Sequence, residues 1–116
     1  MQGRRVAVTG LGVVAQCGVG REAFFEGLCA PAPEGPRILE DFDPASAFEN
    51  PKEARRADRF TQFALTAADE ALAQAGELDA DPARRGTFVG TGVGGIQTLE
   101  DQITTRIEKG ERRVSP

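Results

Sequence analysis

The chain has 116 residues, of which 40% are apolar, with a net charge of −4, two cysteines and no histidine, tyrosine or tryptophan. This length allows one domain at most, and the interspersed charges exclude the clustered basic stripe of a nucleic-acid-binding protein. The missing histidine excludes Ser-His-Asp and Cys-His mechanisms and mixed Cys/His zinc sites within this chain, and no apolar run approaches the ~20 residues of a membrane span.

The first predicted element is a strand over residues 4–14, RRVAVTGLGVV. Its nearly continuous run of apolar and β-branched residues is typical of a strand that is buried on both faces of a parallel sheet. The stretch that precedes and begins this strand is too short and too rich in glycine for the apolar part of a signal peptide, so we expect a cytoplasmic protein.

A helix is predicted within residues 19–30, VGREAFFEGLCA, and Pro31 should end it. Its apolar residues lie along one side at helical spacing: Phe24, Phe25, Leu28 and Cys29. Two cysteines do not make a disulfide framework. We expect Cys17 and Cys29 to be free thiols that pack as small apolar side chains, which suits a reducing compartment.

Residues 31–51 contain proline, glycine and acidic residues without a period, and a loop is predicted there. The strongest predicted helix follows within residues 57–76, with Asp58 as its N-cap and Gly76 at its end. Its predicted buried face consists of Phe60, Phe63, Ala64, Ala67, Ala71 and Leu72. The alanines on that face allow a neighbouring element to pack closely.

A second strand is predicted over residues 86–92, GTFVGTG, and a glycine turn leads from it into a last helix that ends at Gly110. The apolar stripe of that helix is Ile96, Leu99, Ile103 and Ile107, opposite a solvated face with Glu100, Asp101, Arg106 and Glu108. The order of elements predicts an α/β fold with parallel strands. Two apolar strands cannot form a stable sheet alone, so the chain is expected to be part of a larger domain.

Two glycine motifs follow the predicted strands, G-x-G-x-x-A from Gly10 and G-x-G-x-x-G from Gly90. A dinucleotide site also needs an acidic residue about 20 positions further on, at the end of a strand, and neither motif has one there. For Gly10 and Gly12 we expect a positive φ or the close approach of another backbone. For the turn at residues 90–95, packing beside an active site and ordinary turn geometry remain alternatives. A small nucleotide-binding protein is the least favoured reading, and no cofactor is expected.

Several stretches, taken in order, resemble the N-terminus of a β-ketoacyl-acyl carrier protein synthase of the elongating, KAS II-like type. They are RRVAVTGLGVVAQCGVGREAFFEGL, DFDP, KEARRADRFTQFALTAADEALAQAG, VGTGVGG and IEKGERRVSP, which together run from Arg4 to Pro116. The resemblance implies that residues 1–116 are the N-terminal part of a partial thiolase-like fold, in which helix and sheet layers alternate and the complete enzyme is a homodimer. It also implies decarboxylative Claisen condensation of an acyl chain with malonyl-acyl carrier protein in fatty acid biosynthesis.

The sequence departs from the family pattern in two respects. It ends before the segment that would carry the nucleophilic cysteine and the two assisting histidines, and neither Cys17 nor Cys29 matches that nucleophile. The loop near residues 31–40 is also shorter than is usual in the family. We therefore expect a fragment without activity of its own. The alternative is a non-catalytic interaction module that completes its fold with a partner chain.

The resemblance also assigns the candidate site residues. Gly92, Val93 and Gly94 would line the acyl pocket, with Val93 helping to gate the acyl chain; the alternative for Val93 is an ordinary packed turn residue. Arg112 and Arg113 would either contact an acidic carrier protein or form a solvated charge pair. Acyl carrier protein and acyl thioesters are the expected partners. No catalytic residue, metal, nucleic acid or membrane is expected.

Overall fold

The structure is a computed structural model, and it describes residue 3 and residues 5–115. Within them lie four α-helices: α1 (Arg21–Cys29), α2 (Pro51–Arg56), α3 (Arg59–Ala75) and α4 (Ile96–Lys109). Two short strands, β1 (Val14–Ala15) and β2 (Gly18–Val19), precede α1. Three short 3-10 helices cover Pro44–Ala47, Pro82–Arg84 and Glu111–Arg113. No helix in the described part of the chain is long and apolar enough to cross a membrane.

The two long strands expected from the sequence are not formed in the described residues. β1 and β2 pair antiparallel, with Val14 opposite Val19 and Ala15 opposite Gly18, and residues 5–13 and 86–92 have no strand partner. The prediction of parallel strands is therefore wrong for these residues. The physical reason is that a strand needs a second strand beside it to satisfy its backbone groups. The described residues contain both helices and strands, and no alternation of helix and sheet layers is seen among them.

Three of the helices confirm their predicted positions. α1 ends at Cys29, just before the Pro31 stop, and α4 ends at Lys109 with Gly110 as its C-cap. α3 starts after Asp58 and ends at Ala75, and its C-cap Gly76 has a φ of 70° that glycine adopts readily. On the predicted buried face of α3, the phenylalanines and alanines are half-buried, whereas Leu72 is 53% exposed.

Helix α2 begins at Pro51, the last residue of the predicted loop, and covers residues 52–56, for which no element was predicted. The side chain of Asn50 accepts a hydrogen bond from the Lys52 amide at 3.0 Å, and Pro51 occupies the first helical position. This Asn-Pro pair is a recognised helix start, so the local signal was present but was outweighed by the surrounding proline and glycine. Ala54, 3% exposed, is the one buried apolar residue within the described part of the chain.

The 10–13 segment docks on α3. At Gly10 and Gly12, a Cβ atom would overlap the carbonyl oxygens of Ala71 and Ala67, so the backbones approach as closely as glycine allows. Two side chains of α3 then cap the segment, because Gln74 accepts from the Leu11 amide at 2.8 Å and Glu70 accepts from the Val13 amide at 3.0 Å. For Gly10 and Gly12 this confirms the close approach of another backbone, and the small alanines of α3 permit it.

The loop before α2 packs on the start of α3 through an aromatic pair and an arginine. The rings of Phe42 and Phe63 meet edge to face, with centroids 5.1 Å apart. The Arg59 guanidinium lies 5.2 Å from one ring centroid and 5.0 Å from the other, and it donates to the Leu39 carbonyl. Gln62 donates to the carbonyls of Ala54 and Ala57, which fixes the end of α2 against α3.

Most of the apolar surface remains uncovered. The accessible surface is 10246 Å², against about 6,100 Å² for a compact protein of 12.3 kDa. The radius of gyration is 18.3 Å, against about 13 Å for a compact domain of this length. The apolar stripe of α4 is at least half exposed throughout, and Phe88 is 98% exposed. These surfaces require further layers of structure before a core can form.

Candidate functional site

The glycine turn at residues 90–95 is an ordered link into α4. The Gly94 amide donates to Oγ1 of Thr91 at 3.0 Å, and Gly94 has a φ of 73°, in the region that favours glycine. The Ile96 amide donates to the Gly94 carbonyl at 3.0 Å, which closes the turn, and the Leu99 amide donates to the Gly95 carbonyl at 3.0 Å, which is the first hydrogen bond of α4. The turn therefore has one defined conformation, set by the hydroxyl of Thr91 and the positive φ of Gly94.

The start of α3 lies beneath this turn. A Cβ atom at Gly94 would lie 3.8 Å from Cε1 of Phe60, which is ordinary contact distance. Gly95 has no such room, because a Cβ there would overlap the carboxylate of Asp58. That carboxylate also accepts a hydrogen bond from the hydroxyl of Thr98, in the first turn of α4. The first residues of α3 and α4 are therefore joined directly.

A cleft of about 500 Å³ opens between the starts of α3 and α4. It is lined by Ala57, Asp58, Arg59, Phe60, Gln62, Phe63, Gly94, Gly95, Ile96, Gln97, Thr98 and Asp101. Of the three predicted pocket residues, only Gly94 borders it. Val93 is 69% exposed outside the cleft, and a Cβ atom at Gly92 would meet nothing within 4 Å. The acyl-pocket role of Gly92, Val93 and Gly94 stays a prediction.

The walls of the cleft combine two aromatic rings with two carboxylates, a guanidinium and two side-chain amides. It contains no thiol or imidazole that could act as a nucleophile or general base. Within the described residues, no three cysteine, aspartate or glutamate side chains are grouped so that they could hold a metal ion. The cleft borders the glycine turn at Gly94 and Gly95.

The sequence did not predict that the turn lies beside Asp58 and Phe60, or that Thr98 binds Asp58. Asp58 was expected to cap α3, yet its side chain makes no cap hydrogen bond to that helix. Phe60 was expected only in the buried face of α3. The position of Thr98 in the first turn of α4 is a local signal, but nothing in the sequence indicates that its partner lies 40 residues away.

Glu70 is the most connected carboxylate in the described structure. It accepts from the Arg21 amide at 2.8 Å and from the Val13 amide at 3.0 Å, and its Oε1 lies 3.2 Å from Nε of Arg21. These backbone hydrogen bonds, with the Arg21 charge, lower the pKa of Glu70 despite some desolvation. Because Arg21 opens α1, the carboxylate also lies at the positive end of that helix. Glu70 therefore joins α3, the 10–13 segment and α1.

The remaining candidates lie outside the cleft. Cys17 is half-buried and Cys29 is exposed, and both are free thiols. Arg112 and Arg113 are exposed and make no ion pair with other described residues, whereas Arg106 pairs with Glu111 at 2.6 Å. The close packing of Gly10 and Gly12 on α3 leaves their backbone no space for a pyrophosphate, which argues against the dinucleotide reading of that motif.

The sequence is similar to one protein family and to several of its members. The family described as β-ketoacyl synthase, N-terminal domain, matches residues 34–116. A 3-oxoacyl-[acyl-carrier-protein] synthase 2 of Synechocystis sp. is 36% identical over 135 positions, covering 100% of this chain and 32% of the relative. The same-named protein of Rhizobium meliloti is 33% identical, covering 97% and 32%. A protein named as a polyketide β-ketoacyl synthase 1 in Streptomyces cyaneus is 41% identical, covering 94% and 30%. The chain spans about a third of the length of these relatives.

Proposed function

This chain belongs to the β-ketoacyl synthase family, and we propose that it supplies the N-terminal part of a 3-oxoacyl-acyl carrier protein synthase. The observation that carries the proposal is the family match over residues 34–116, together with a relative of that name that aligns with the whole chain. Such an enzyme elongates an acyl chain in fatty acid biosynthesis. Malonyl-acyl carrier protein loses carbon dioxide, and the resulting carbanion attacks the carbonyl carbon of an acyl thioester, so that the new C–C bond forms as the C–S bond breaks and the thiolate leaves.

In this proposal the chain has a structural role and forms part of the wall of the acyl pocket. These 116 residues contain no histidine, and the cleft beside the glycine turn contains neither cysteine, so in this proposal the acyl-carrying thiol and the imidazole donors come from other residues of the enzyme. What the described residues provide is the ordered turn and the α3 surface that supports it. The extensive apolar exposure is consistent with a piece that is covered by the rest of the fold.

The finer features of the proposal follow from the family. We infer a thiolase-like layered fold, a homodimer, a cytoplasmic location and acyl carrier protein as partner. The loop near residues 31–40 is proposed to be shortened. Its support is that the alignment with the Synechocystis relative extends over 135 positions, more than the 116 residues of this chain, so the relative has residues that this chain lacks.

The proposal predicts condensing activity in the complete natural polypeptide that carries this sequence, and none in residues 1–116 alone. The assay follows carbon dioxide release and 3-oxoacyl product formation from acyl- and malonyl-acyl carrier protein, with the active species expected to sediment as a dimer. Acyl transfer to Cys17 or Cys29 in residues 1–116 would contradict the scaffold role. A complete polypeptide without condensation would overturn the proposed function.

The same assay of the purified polypeptide distinguishes two other candidate functions from fatty acid elongation. The 41% identity to the Streptomyces cyaneus protein favours polyketide assembly as the second candidate, in which repeated condensation would give products longer than one added two-carbon unit. The uncovered apolar surface favours a non-catalytic module as the third. That module would copurify with a separate synthase-like polypeptide, and the pair would form no 3-oxoacyl product.

We also propose that Gly92, Val93 and Gly94 line the acyl pocket of the complete enzyme, with Val93 facing the acyl chain. Val93 is 69% exposed on an ordered turn, so its side chain is free to meet a covering layer. Val93→Phe should therefore lower kcat/KM for long acyl chains by roughly tenfold while short chains are affected less, because the ring would fill pocket volume. Steady-state kinetics with acyl carrier proteins of increasing chain length measure this.

The matched control is Val89→Phe, which places the same ring in the 86–92 stretch before the turn, where any packing effect should be equal for every chain length. An equal fall for every chain length in Val93→Phe, or the same length preference in both variants, would remove Val93 from the pocket.

A further inference from the structure

The backbone of Asp58 begins helix α3, whereas its side chain contacts helix α4. Its carbonyl accepts the Gln62 amide at 3.0 Å, as the residue before α3 should. Its carboxylate makes no cap hydrogen bond to α3, although aspartate at this position normally does. The carboxylate accepts from the Thr98 hydroxyl and packs on Gly95 instead.

Helix α4 has no capping side chain and no negative charge of its own at its N-terminus. Its N-cap is Gly95, which has no side chain to satisfy the first amides, and its first turn contains no acidic residue. A negative charge near a helix N-terminus is stabilising, because the helix dipole places partial positive charge there. Asp58 is the carboxylate that the fold brings against this end of α4, from an element 40 residues earlier in the chain.

The contacts extend from α4 into the glycine turn. Gly95 lies against the Asp58 carboxylate, so closely that a Cβ atom there would overlap it. The preceding residue, Gly94, faces Phe60, which would lie 3.8 Å from a Cβ atom at Gly94. Because Gly94 and Gly95 are consecutive, a shift of the first turn of α4 away from Asp58 would also shift the turn that carries Val93 relative to α3.

We propose that Asp58 is a positioning residue that fixes the Val93 turn through Thr98 and so sets which acyl-chain lengths the enzyme accepts. This inference rests on the proposed function, since it acts on the pocket assigned there to Gly92, Val93 and Gly94. Asp58 touches no reacting atom in this scheme. Asp58 acts only by setting the position of the turn that carries Val93.

The test uses paired variants in the complete natural polypeptide. Asp58→Ala and Thr98→Val each break the hydrogen bond, and each should change the long-to-short ratio of kcat/KM by about tenfold, mainly through KM for the long chain. Because Thr98→Val removes only an interaction that Asp58→Ala also removes, the double variant should be no worse than Asp58→Ala alone. Asp58→Asn, which keeps an acceptor, should lie between them and wild type, and Thr98→Ser should resemble wild type.

Asp101→Asn is the matched control, since this exposed carboxylate borders the same cleft and makes no side-chain hydrogen bond among the described residues. The inference is overturned if Asp58→Ala and Thr98→Val have additive effects, if they lower activity equally for all chain lengths, or if Asp101→Asn gives the same shift in ratio.

A second readout separates this inference from the proposed function. Amide hydrogen exchange of residues 94–96 should be roughly tenfold faster in Asp58→Ala and Thr98→Val than in wild type, and unchanged in Asp101→Asn. If wild type shows no condensation, the proposed function fails, and the exchange rates still decide whether Asp58 positions the turn. Unchanged exchange in both variants would overturn the positioning role even in an active enzyme.

Discussion

Replacing Gly12 with alanine is expected to lower the free energy of unfolding by roughly 3 kcal/mol, at the upper end of the usual cost of overpacking. A Cβ atom at this position would overlap the carbonyl oxygen of Ala67 in α3. Neither partner is the end of a flexible side chain, so the 10–13 segment must separate from the helix. That separation would stretch the Leu11–Gln74 and Val13–Glu70 hydrogen bonds as well. The urea midpoint of the complete natural polypeptide measures the effect.

Gly90→Ala is the matched control for this substitution. Gly90 has no positive φ, and a Cβ atom there would meet nothing within 4 Å. Alanine should therefore be tolerated, or slightly stabilising, because it restricts the unfolded chain more than glycine does. Equal midpoints for Gly12→Ala and wild type would show that the close approach of the 10–13 segment to α3 does not occur.

Glu70→Ala is expected to release the 10–13 segment and the start of α1 from α3 together. The substitution leaves the amides of Val13 and Arg21 without their acceptor and removes the ion-pair partner of Arg21. Glu70→Gln keeps one acceptor oxygen but loses the charge, so its denaturation midpoint should lie between those of alanine and wild type. The control is Asp69→Asn on the exposed face of the same helix, where no side-chain hydrogen bond is made within the described residues. Asp69→Asn should change little.

The effect of Glu70 should also depend on pH. Its pKa is lowered from the ordinary 4.5 in the folded chain, first by the hydrogen bond from the Arg21 amide and then by that from Val13. The folded state therefore binds the proton less tightly than the unfolded state does. The stabilisation is fully present above the unfolded pKa and is lost as the pH falls through the folded pKa. The midpoint difference between wild type and Glu70→Gln should be constant near neutral pH and shrink in acid; a difference that grows in acid would contradict this sign.

Local sequence signals determined three helices of this protein. Pro31 and Gly76 end α1 and α3, and the spacing of Ile96, Leu99 and Ile103 marks α4, because capping, proline geometry and helical periodicity act within a few residues. The same kind of signal was available for α2 at Asn50 and Pro51. The ordered motifs also identified the family, since each is a short pattern that does not depend on what covers it.

Tertiary structure alone decided how these elements are joined. The sequence allowed a positive φ or a close contact at Gly10 and Gly12, and only the position of α3 selected the contact. Asp58 carries the signal of a cap for α3 but faces α4, and the partners of Glu70 lie 49 and 57 residues away. Residues 5–13 and 86–92 have the composition of strands and are unpaired in the described structure, because a strand is completed by a neighbour that lies elsewhere in space.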